Sequence, residues 1–267
     1  MSTLSCAACE HIGVTVRTIT CTAADRSHGK TFDFIFCDRC GYVRNPGNTH
    51  DYHEESAFDA VDPTSPRVGD GRKPGREYRM MQMGVDILRI HRGDFRPEVA
   101  VLGAGMSKDH ALILEKLPVS RAAVSDLENF QSSKDFVPMS SRQPEFDVVV
   151  ACEVIEHFVD LIEDFTNLLS KVRNDGLAIA STNMHDGVPL ARLAYPFDVG
   201  HTSYYSGRSL REICKRLDGS IHLDFRTPSI AFRGAGPRKR YIYFYRDMAV
   251  GDSIAQYFAD NHVAPSE

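Results

Sequence analysis

Hydrophobic and polar positions along the chain change their spacing near residue 76. Before that point, apolar β-branched and aromatic residues fall into two short runs, Val14 to Cys21 and Thr31 to Phe36, with a turn-like segment from Asp25 to Lys30 between them. Beyond it, apolar residues at helical spacing alternate with short continuous apolar runs. The first pattern predicts a β-hairpin, and the second predicts a parallel sheet with helices on both faces.

The alternating part begins with a predicted helix from Glu77 to His91, in which Tyr78, Met81, Val85 and Leu88 share one face. Further helices are predicted at Asp109 to Leu117, Asp160 to Val172, Ser209 to Leu217 and Asp252 to Asn261. Strands are predicted at Val99 to Leu102, Ala122 to Val124, Phe146 to Ala151, Leu177 to Ser181, Ile221 to Phe225 and Arg240 to Tyr245. Gly176 is expected to turn the chain into the strand at Leu177.

These patterns divide the chain into four predicted parts. Residues 1–47 form a small ribbon, 48–75 a linker or cap, 76–248 an α/β domain, and 249–267 a C-terminal helix and tail. The linker is rich in Gly, Pro, Asp, His and Arg, as at Asp62 to Pro66. Its candidate substrate groups are Tyr52, His53, Glu54 and Glu55, although such residues in a linker are usually only solvated.

The ribbon carries two C-x2-C pairs, Cys6 with Cys9 and Cys37 with Cys40. Each tight turn can aim two thiolates to one side, and a hairpin that joins the turns completes the four-sulfur shell that zinc favours. Four protein ligands leave no open position, so the predicted zinc is structural. Cys21 and His11 are kept as alternative zinc ligands. Cys152 and Cys214 lie in apolar segments and are expected to be core residues.

Composition and charge disfavour some classes of function. The chain has 31 Lys and Arg against 36 Asp and Glu, a net charge of −5 and a pI near 6.1. Without a basic field, nucleic acid is an unlikely partner, which disfavours a zinc-mediated nucleic-acid reader. No apolar run approaches the roughly 20 residues that span a bilayer, and no signal segment is visible. We therefore expect a cytoplasmic protein with no membrane partner.

A candidate nucleoside site follows the strand at Val99 to Leu102. The turn Gly103-Ala104-Gly105 lets main chain approach a ligand at the carboxyl end of a strand, beside a helix N-terminus. Asp126 and Leu127 stand at the tip of the next strand, where a carboxylate can accept both hydroxyl protons of a ribose. A Gly-x-Gly pair alone is often an ordinary turn, but the acid at this spacing favours a nucleotide or nucleoside ligand.

The segment from Phe146 to Asp160, which includes Glu153-Val154-Ile155-Glu156-His157, resembles the fourth strand and Glu-His segment of class I S-adenosylmethionine-dependent methyltransferases. Leu168 to Gly176 is similar to the turn before that family's fifth strand, and Ser181 to Asn183 matches the strand's end. The resemblance covers most of 77–247. It implies a Rossmann-like, seven-stranded, mostly parallel sheet with an antiparallel last strand, S-adenosylmethionine as cofactor, and Glu153 as a cofactor or acceptor contact.

The stretch from Cys37 to Pro46 is similar to a zinc knuckle that precedes the methyltransferase domain in a bacterial subgroup, which includes sugar and natural-product methyltransferases. In that subgroup a segment like His201 to Leu210 faces the acceptor. The resemblance therefore implies a small-molecule acceptor, with a sugar or sugar nucleotide among the candidates. The subgroup's sugar C-methyltransferases carry a glutamate and a tyrosine where this chain has Gly200 and Asp198, so we expect a hydroxyl or amine acceptor.

Two positions depart from the family pattern. The family usually has an acid two residues before the first glycine, where it helps hold the cofactor's amino-acid end, but this chain has Val101. Ser107 replaces the third glycine. A degenerate fold that serves as a binding or scaffold module is therefore an alternative. A nicotinamide-dependent oxidoreductase would use the same glycine turn and Asp126, but the Glu-His segment does not indicate it.

Methyl transfer needs an aligned acceptor and a group that removes its proton, and histidine suits that work near neutral pH. His157 and His201 follow predicted strands at the edge where the site is expected. We favour His201, because Tyr204 and Tyr205 adjoin it and can position a polar acceptor. Alternatively, His157 packs on the following helix and His201 orients its loop. His185 and Asp186 rank below these two histidines, and Glu156 is expected to be structural. The terminal helix packs on the domain or on a second subunit, which leaves a homo-oligomer open.

Overall fold

Two β-sheets organise the chain. The computed structural model describes residues 4–24, 27–58, 69–143, 145–227 and 238–261. The strands are β1 Val14–Thr20, β2 Thr31–Cys37, β3 Val43–Arg44, β4 Glu98–Leu102, β5 Arg121–Asp126, β6 Phe136–Pro138, β7 Phe146–Cys152, β8 Val172–Asn183, β9 Ser203–Tyr204, β10 His222–Arg226 and β11 Lys239–Tyr245. The α-helices are α1 Arg76–Arg92, α2 Asp109–Lys116, α3 Leu161–Leu169, α4 Gly207–Leu217 and α5 Met248–Asp260. Short 3-10 helices cover Glu55–Phe58, Ile155–His157, Leu190–Arg192 and Tyr195–Phe197.

The larger sheet has the order β10-β11-β8-β7-β4-β5-β6. Strands β4 to β8 pair in parallel, while β11 runs antiparallel to both β8 and β10. This confirms the predicted α/β class with seven mostly parallel strands and an antiparallel last strand. The strand order reverses beside β4, and ligands of such sheets bind outside the carboxyl ends of the strands at that point.

Alternate residues of β4 point to opposite faces of this sheet. Val99 and Val101 pack with α1, α2 and α5, whereas Ala100 and Leu102 pack with α3 and α4. Since both faces are covered, the central strands are apolar on both sides and form continuous apolar runs in the sequence. This is why the sequence predicted them correctly.

The predicted helix from Asp160 to Val172 was too long, and the predicted turn at Gly176 lies inside a strand. Helix α3 ends at Leu169, and β8 already begins at Val172. The pairing with β7 then jumps from Phe146 and Val172 to Val148 and Leu177, so residues 173–176 form a bulge. A Cβ atom on Gly176 would lie 2.8 Å from the Asp147 carbonyl oxygen, and this close approach requires a glycine.

Six of the seven strands of the larger sheet were predicted from the sequence, and β6 was not. It spans only Phe136–Pro138 and pairs with the end of β5. A three-residue edge strand that ends in proline has too few positions to show a period of two.

The smaller sheet has the order β1-β2-β3-β9. Its hairpin confirms the two strands predicted in the ribbon, with Val14 opposite Cys37. The fourth strand, β9, comes from the segment after β8 and pairs with β3. Residues from both parts of the chain share one buried cluster, in which Phe34 and Val43 pack with Phe197 and Tyr204. The cysteine-bearing sheet is therefore completed by the α/β part of the chain.

Some predicted features fall outside the described residues. These are the centre of the linker or cap at 59–68, part of the ribbon turn at 25–26, and the end of the tail at 262–267. Within the described ranges, no helix combines the length and the apolar character that crossing a membrane requires.

Candidate active site

The site is built on the carboxyl ends of β4, β5, β7 and β8. The glycine turn follows β4, and Asp126 ends β5. The segment from Glu153 to His157 follows β7, and the loop with His201 comes after β8. The predicted cofactor and acceptor candidates therefore lie together at one edge of the sheet.

The turn after β4 requires glycine at its first position. Gly103 and Gly105 have φ angles of 64° and 52°, in the left-handed region that disfavours side chains. The N–H of Gly103 donates to the Ser125 carbonyl at 2.8 Å, which ties the turn to β5. A Cβ atom on Gly103 would lie 2.7 Å from Cγ2 of Val154. The Val154 side chain therefore leaves no space for a side chain at Gly103.

Asp126 links this turn to the end of β5. Its Oδ2 accepts the N–H of Gly105 at 2.8 Å, and its Oδ1 accepts the N–H of Leu127 at 2.7 Å. The side chain is buried, and burial raises the pKa of its carboxyl despite these two donors. The predicted cofactor residues Gly103, Ala104, Gly105, Asp126 and Leu127 thus form one connected structure.

Glu153, the remaining predicted cofactor residue, adopts φ 58° directly after β7. A non-glycine residue in this conformation is uncommon and is a frequent feature of functional sites. Its Oε1 accepts from the Ser181 hydroxyl at 2.6 Å, and its Oε2 forms an ion pair with Lys239 of β11. Lys239 therefore neutralises Glu153, a pairing that the sequence did not indicate.

His157 and His201 lie together with Glu156, with one ligand atom of each within 4.8 Å of the others. The two imidazole rings meet edge to face at 4.9 Å. Nδ1 of His157 lies 2.9 Å from the Gly200 carbonyl and 2.9 Å from the Tyr52 hydroxyl. Burial and the neighbouring His201 lower the pKa of His157 to about 3, so this ring is neutral near pH 7.

Tyr195 connects the two ends of this cluster. Its hydroxyl donates to Oε1 of Glu156 at 2.5 Å, and its carbonyl lies 2.6 Å from Nδ1 of His201. Burial raises the pKa of Glu156 to about 7, while the hydrogen bond from Tyr195 opposes that shift. Sequence analysis missed Tyr195, because a tyrosine in a short turn has no spacing that marks it.

The hydroxyl groups of Tyr204 and Tyr205 form hydrogen bonds within the protein. Tyr204 donates to the Met184 carbonyl at 2.9 Å, and Tyr205 donates to the Ile155 carbonyl at 2.7 Å. Both side chains are buried. His185 lies against the Tyr204 ring, and Asp186 pairs with Arg238 at 3.0 Å. The two tyrosines therefore position the segment that follows His201.

The four cysteines of the two C-x2-C pairs converge. Sγ of Cys6 lies 3.6 Å from Sγ of Cys40, and the same distance separates Cys9 from Cys37. Sulfur atoms about 2.3 Å from a tetrahedral zinc ion lie about 3.8 Å apart, so the cluster fits zinc. Hydrogen bonding between Cys6 and Cys40 lowers the pKa of Cys6 to about 5 and raises the pKa of Cys40 well above its usual value, so a proton held by this pair would have to leave when zinc binds.

The other cysteine of the ribbon, Cys21, points away from this cluster, towards the Leu193 carbonyl. His11 is not part of the group either. A cavity of about 530 Å³ is lined by residues of both the ribbon and the loop after β8, which include Arg17, Phe36, Tyr42, His185 and Leu190.

Comparisons with known proteins gave one family match. The model of the family described as "Methyltransferase domain" matches residues 57–219. No curated protein matches the sequence. Similar solved structures include the plantazolicin methyltransferase BpumL with S-adenosylhomocysteine, at 14% identity, TM-score 0.47, and coverage of 64% of this chain and 84% of that chain. A Burkholderia thailandensis 1,6-didemethyltoxoflavin-N1-methyltransferase has 20% identity, TM-score 0.43 and coverage of 62% and 77%. The mitomycin 7-O-methyltransferase MmcR has 15% identity, TM-score 0.42 and coverage of 62% and 54%.

The glycine turn yields a stability prediction. Gly103→Ala is expected to destabilise the protein by about 1–3 kcal/mol more than Gly93→Ala, because of overpacking against Val154. Gly93 is the matched control, since its φ is 63° and a Cβ atom added there would meet no atom of a non-adjacent residue within 4 Å. Urea unfolding of both variants measures the difference. Equal losses of stability would show that the turn has space for a side chain.

Proposed function

This chain belongs to the methyltransferase-domain family, and on that premise we propose that it transfers the methyl group of S-adenosylmethionine to a hydroxyl or amine of a small molecule. The acceptor class is a sugar, a sugar nucleotide or another biosynthetic intermediate. The observation that carries the proposal is that two groups of residues lie at the same carboxyl edge of the larger sheet. These are the glycine turn with Asp126, and the cluster of His157 and His201.

Asp126 and the glycine turn form the proposed cofactor site. The Asp126 carboxylate would accept the ribose hydroxyls, because each of its oxygens has a further lone pair beyond its bond to a main-chain N–H. The main chain of 103–105, at the carboxyl end of β4, would lie beside the nucleoside. Glu153 would act together with Lys239, since the two already form an ion pair.

The methyl group of a sulfonium is already activated, so the protein's task is to align the acceptor and remove its proton. His201 is the proposed base. The contact of its Nδ1 with the Tyr195 carbonyl places the ring proton on Nδ1 and makes Nε2 the basic nitrogen. His157 is a weaker base, because its pKa is lowered to about 3. We assign His157 and Tyr204 to positioning the acceptor side.

A structural zinc ion is the second part of the proposal. Cys6, Cys9, Cys37 and Cys40 would hold it, and when bound it cross-links the two turns of the ribbon. These four ligands complete the shell, so the ion takes no part in the transfer. The division into 1–47, 48–75, 76–248 and 249–267 belongs to the same proposal, with the ribbon as a small zinc-bearing unit attached to the methyltransferase domain.

Cofactor binding is the first test. Calorimetry is expected to show micromolar binding of S-adenosylhomocysteine and no binding of NADH. Asp126→Asn is expected to weaken S-adenosylhomocysteine binding at least about tenfold, because a hydrogen bond to a charged group contributes about 1.5–3 kcal/mol. Asp94→Asn, at an exposed carboxylate, is the control.

The negative outcomes separate the alternatives. Binding of NADH without S-adenosylhomocysteine would support the oxidoreductase. Binding of neither ligand would support the scaffold. Thermal melting of Asp126→Asn shows whether an observed loss of binding reflects loss of the fold.

The second test concerns the base. His201→Gln is expected to lower the rate of methyl transfer by about 10²–10⁴-fold, the usual contribution of a general base, with unchanged affinity for S-adenosylhomocysteine. Transfer from labelled S-adenosylmethionine is measured with the acceptor found by screening sugar nucleotides and small amines. His28→Gln, in the ribbon hairpin, is the control. Full activity of His201→Gln would exclude His201 as the base.

The third test concerns zinc. Elemental analysis of the purified protein is expected to give one zinc per chain. Cys37→Ser should reduce the zinc content and lower the melting temperature, because structural zinc contributes directly to folding. Cys21→Ser should retain the metal, since its sulfur lies outside the cluster. Metal-free protein with an unchanged melting temperature would refute a structural zinc ion.

A further inference from the structure

The two departures from the family pattern lie on opposite sides of the glycine turn. Val101, at the position of the usual acid, is 2% exposed and packs in the apolar layer beneath α1. Its side chain provides no charge for the amino-acid end of a cofactor. Ser107, in place of the third glycine, is also 2% exposed and has a hydroxyl that a glycine would lack.

That hydroxyl contacts a carboxylate from a different element. Oγ of Ser107 donates to Oε2 of Glu77 at 3.2 Å. Glu77 lies in the first turn of α1, is 5% exposed, and reaches the glycine turn from the sheet face towards which Val101 points. A buried acid is therefore present at the turn, although it comes from a helix instead of from β4.

Glu77 has a second carboxyl group beside it. Asp109, at the start of α2, accepts the N–H groups of Gly75 at 2.9 Å and Tyr78 at 3.0 Å, an arrangement that suits an anion. Burial and the hydrogen bond with Asp109 raise the pKa of Glu77 to about 8. Two buried carboxyl groups in contact favour the binding of a cation, because a cation offsets their repulsion and the cost of burying their charge.

A positive charge also lies near Glu77. Arg76, the preceding residue, interacts electrostatically with Glu77 and also with Cys152 and Glu156, at the carboxyl end of β7. Arg76 therefore brings a positive charge near the Glu77 carboxyl, and a ligand with both an ammonium and a carboxylate group would find a partner for each here.

We propose that Glu77 binds the α-ammonium group of the cofactor's amino-acid end and replaces the acid that is absent at Val101. Ser107 positions the Glu77 carboxylate for this contact. The departures at Val101 and Ser107 are then linked. The acid that contacts the ammonium group comes from α1 instead of from β4, and Ser107 holds that acid in place. This inference rests on the proposed use of S-adenosylmethionine.

A pair of ligands isolates the contact. S-adenosylhomocysteine carries the amino-acid end, whereas 5′-methylthioadenosine has the same thionucleoside without it. In calorimetry, Glu77→Gln is expected to weaken S-adenosylhomocysteine binding at least about tenfold and to leave 5′-methylthioadenosine unchanged. Ser107→Gly should weaken only the first ligand, by a smaller factor. Glu115→Gln, on the exposed side of α2, is the control.

A measurement on the unaltered protein covers the case in which Glu77→Gln does not fold. At pH 7, S-adenosylhomocysteine binding is expected to release protons, because the ammonium ionises Glu77, whose pKa burial and Asp109 raise, while 5′-methylthioadenosine releases none. Titrations in two buffers of different ionisation enthalpy give the number of protons released. Unchanged S-adenosylhomocysteine affinity in folded Glu77→Gln, equal weakening of both ligands, or equal proton release would overturn the inference and leave the methyltransferase proposal intact. Absence of any S-adenosylhomocysteine binding to the unaltered protein would instead overturn the proposed function itself.

Discussion

Main-chain hydrogen bonding between β3 and β9 joins the cysteine-bearing sheet to the segment that follows His201. The N–H of Asn45 extends this pairing by donating to the Thr202 carbonyl at 2.8 Å. On its other side, Thr202 donates its own N–H to the Glu156 carbonyl at 2.9 Å. The segment is therefore fixed between the ribbon and the turn after β7, and this brings His201 to His157. The geometry of the histidine cluster depends on a sheet whose first strands lie near the N-terminus.

The sequence predicted the larger sheet well and the smaller one only in part. Strands covered on both faces appear as continuous apolar runs, and the helices between them keep their spacing, so neither depends on distant partners. The β3 and β9 pairing was not predicted, because each strand has two residues and too little length for a period. The bulge at 173–176 was missed because its cause, the close approach to Asp147, is a tertiary contact.

The same distinction holds within the site. Gly103, Gly105 and Asp126 could be predicted as candidates because each stands at a fixed place relative to a strand end, and the two histidines because they follow strands. Glu77 and Tyr195 have no comparable position relative to a strand end in the sequence. In the sequence, Glu77 is an acid in the first turn of a helix, where acids are common for their effect on the helix dipole. Its contact with Ser107 exists only once α1 lies on the sheet.

The completion of the smaller sheet by β9 also has a consequence for biosynthesis. Ser203, whose hydroxyl meets that of Tyr42, is made 161 residues later. At typical rates of about 5–20 residues per second, the ribosome needs roughly 8 to 30 seconds to cover that distance. Throughout this interval the edge of β3 and the apolar face around Phe34 and Val43 lack their native cover. An uncovered strand edge is a template for pairing with other chains. Chaperone demand for this protein should therefore peak during translation and fall when β9 leaves the ribosome.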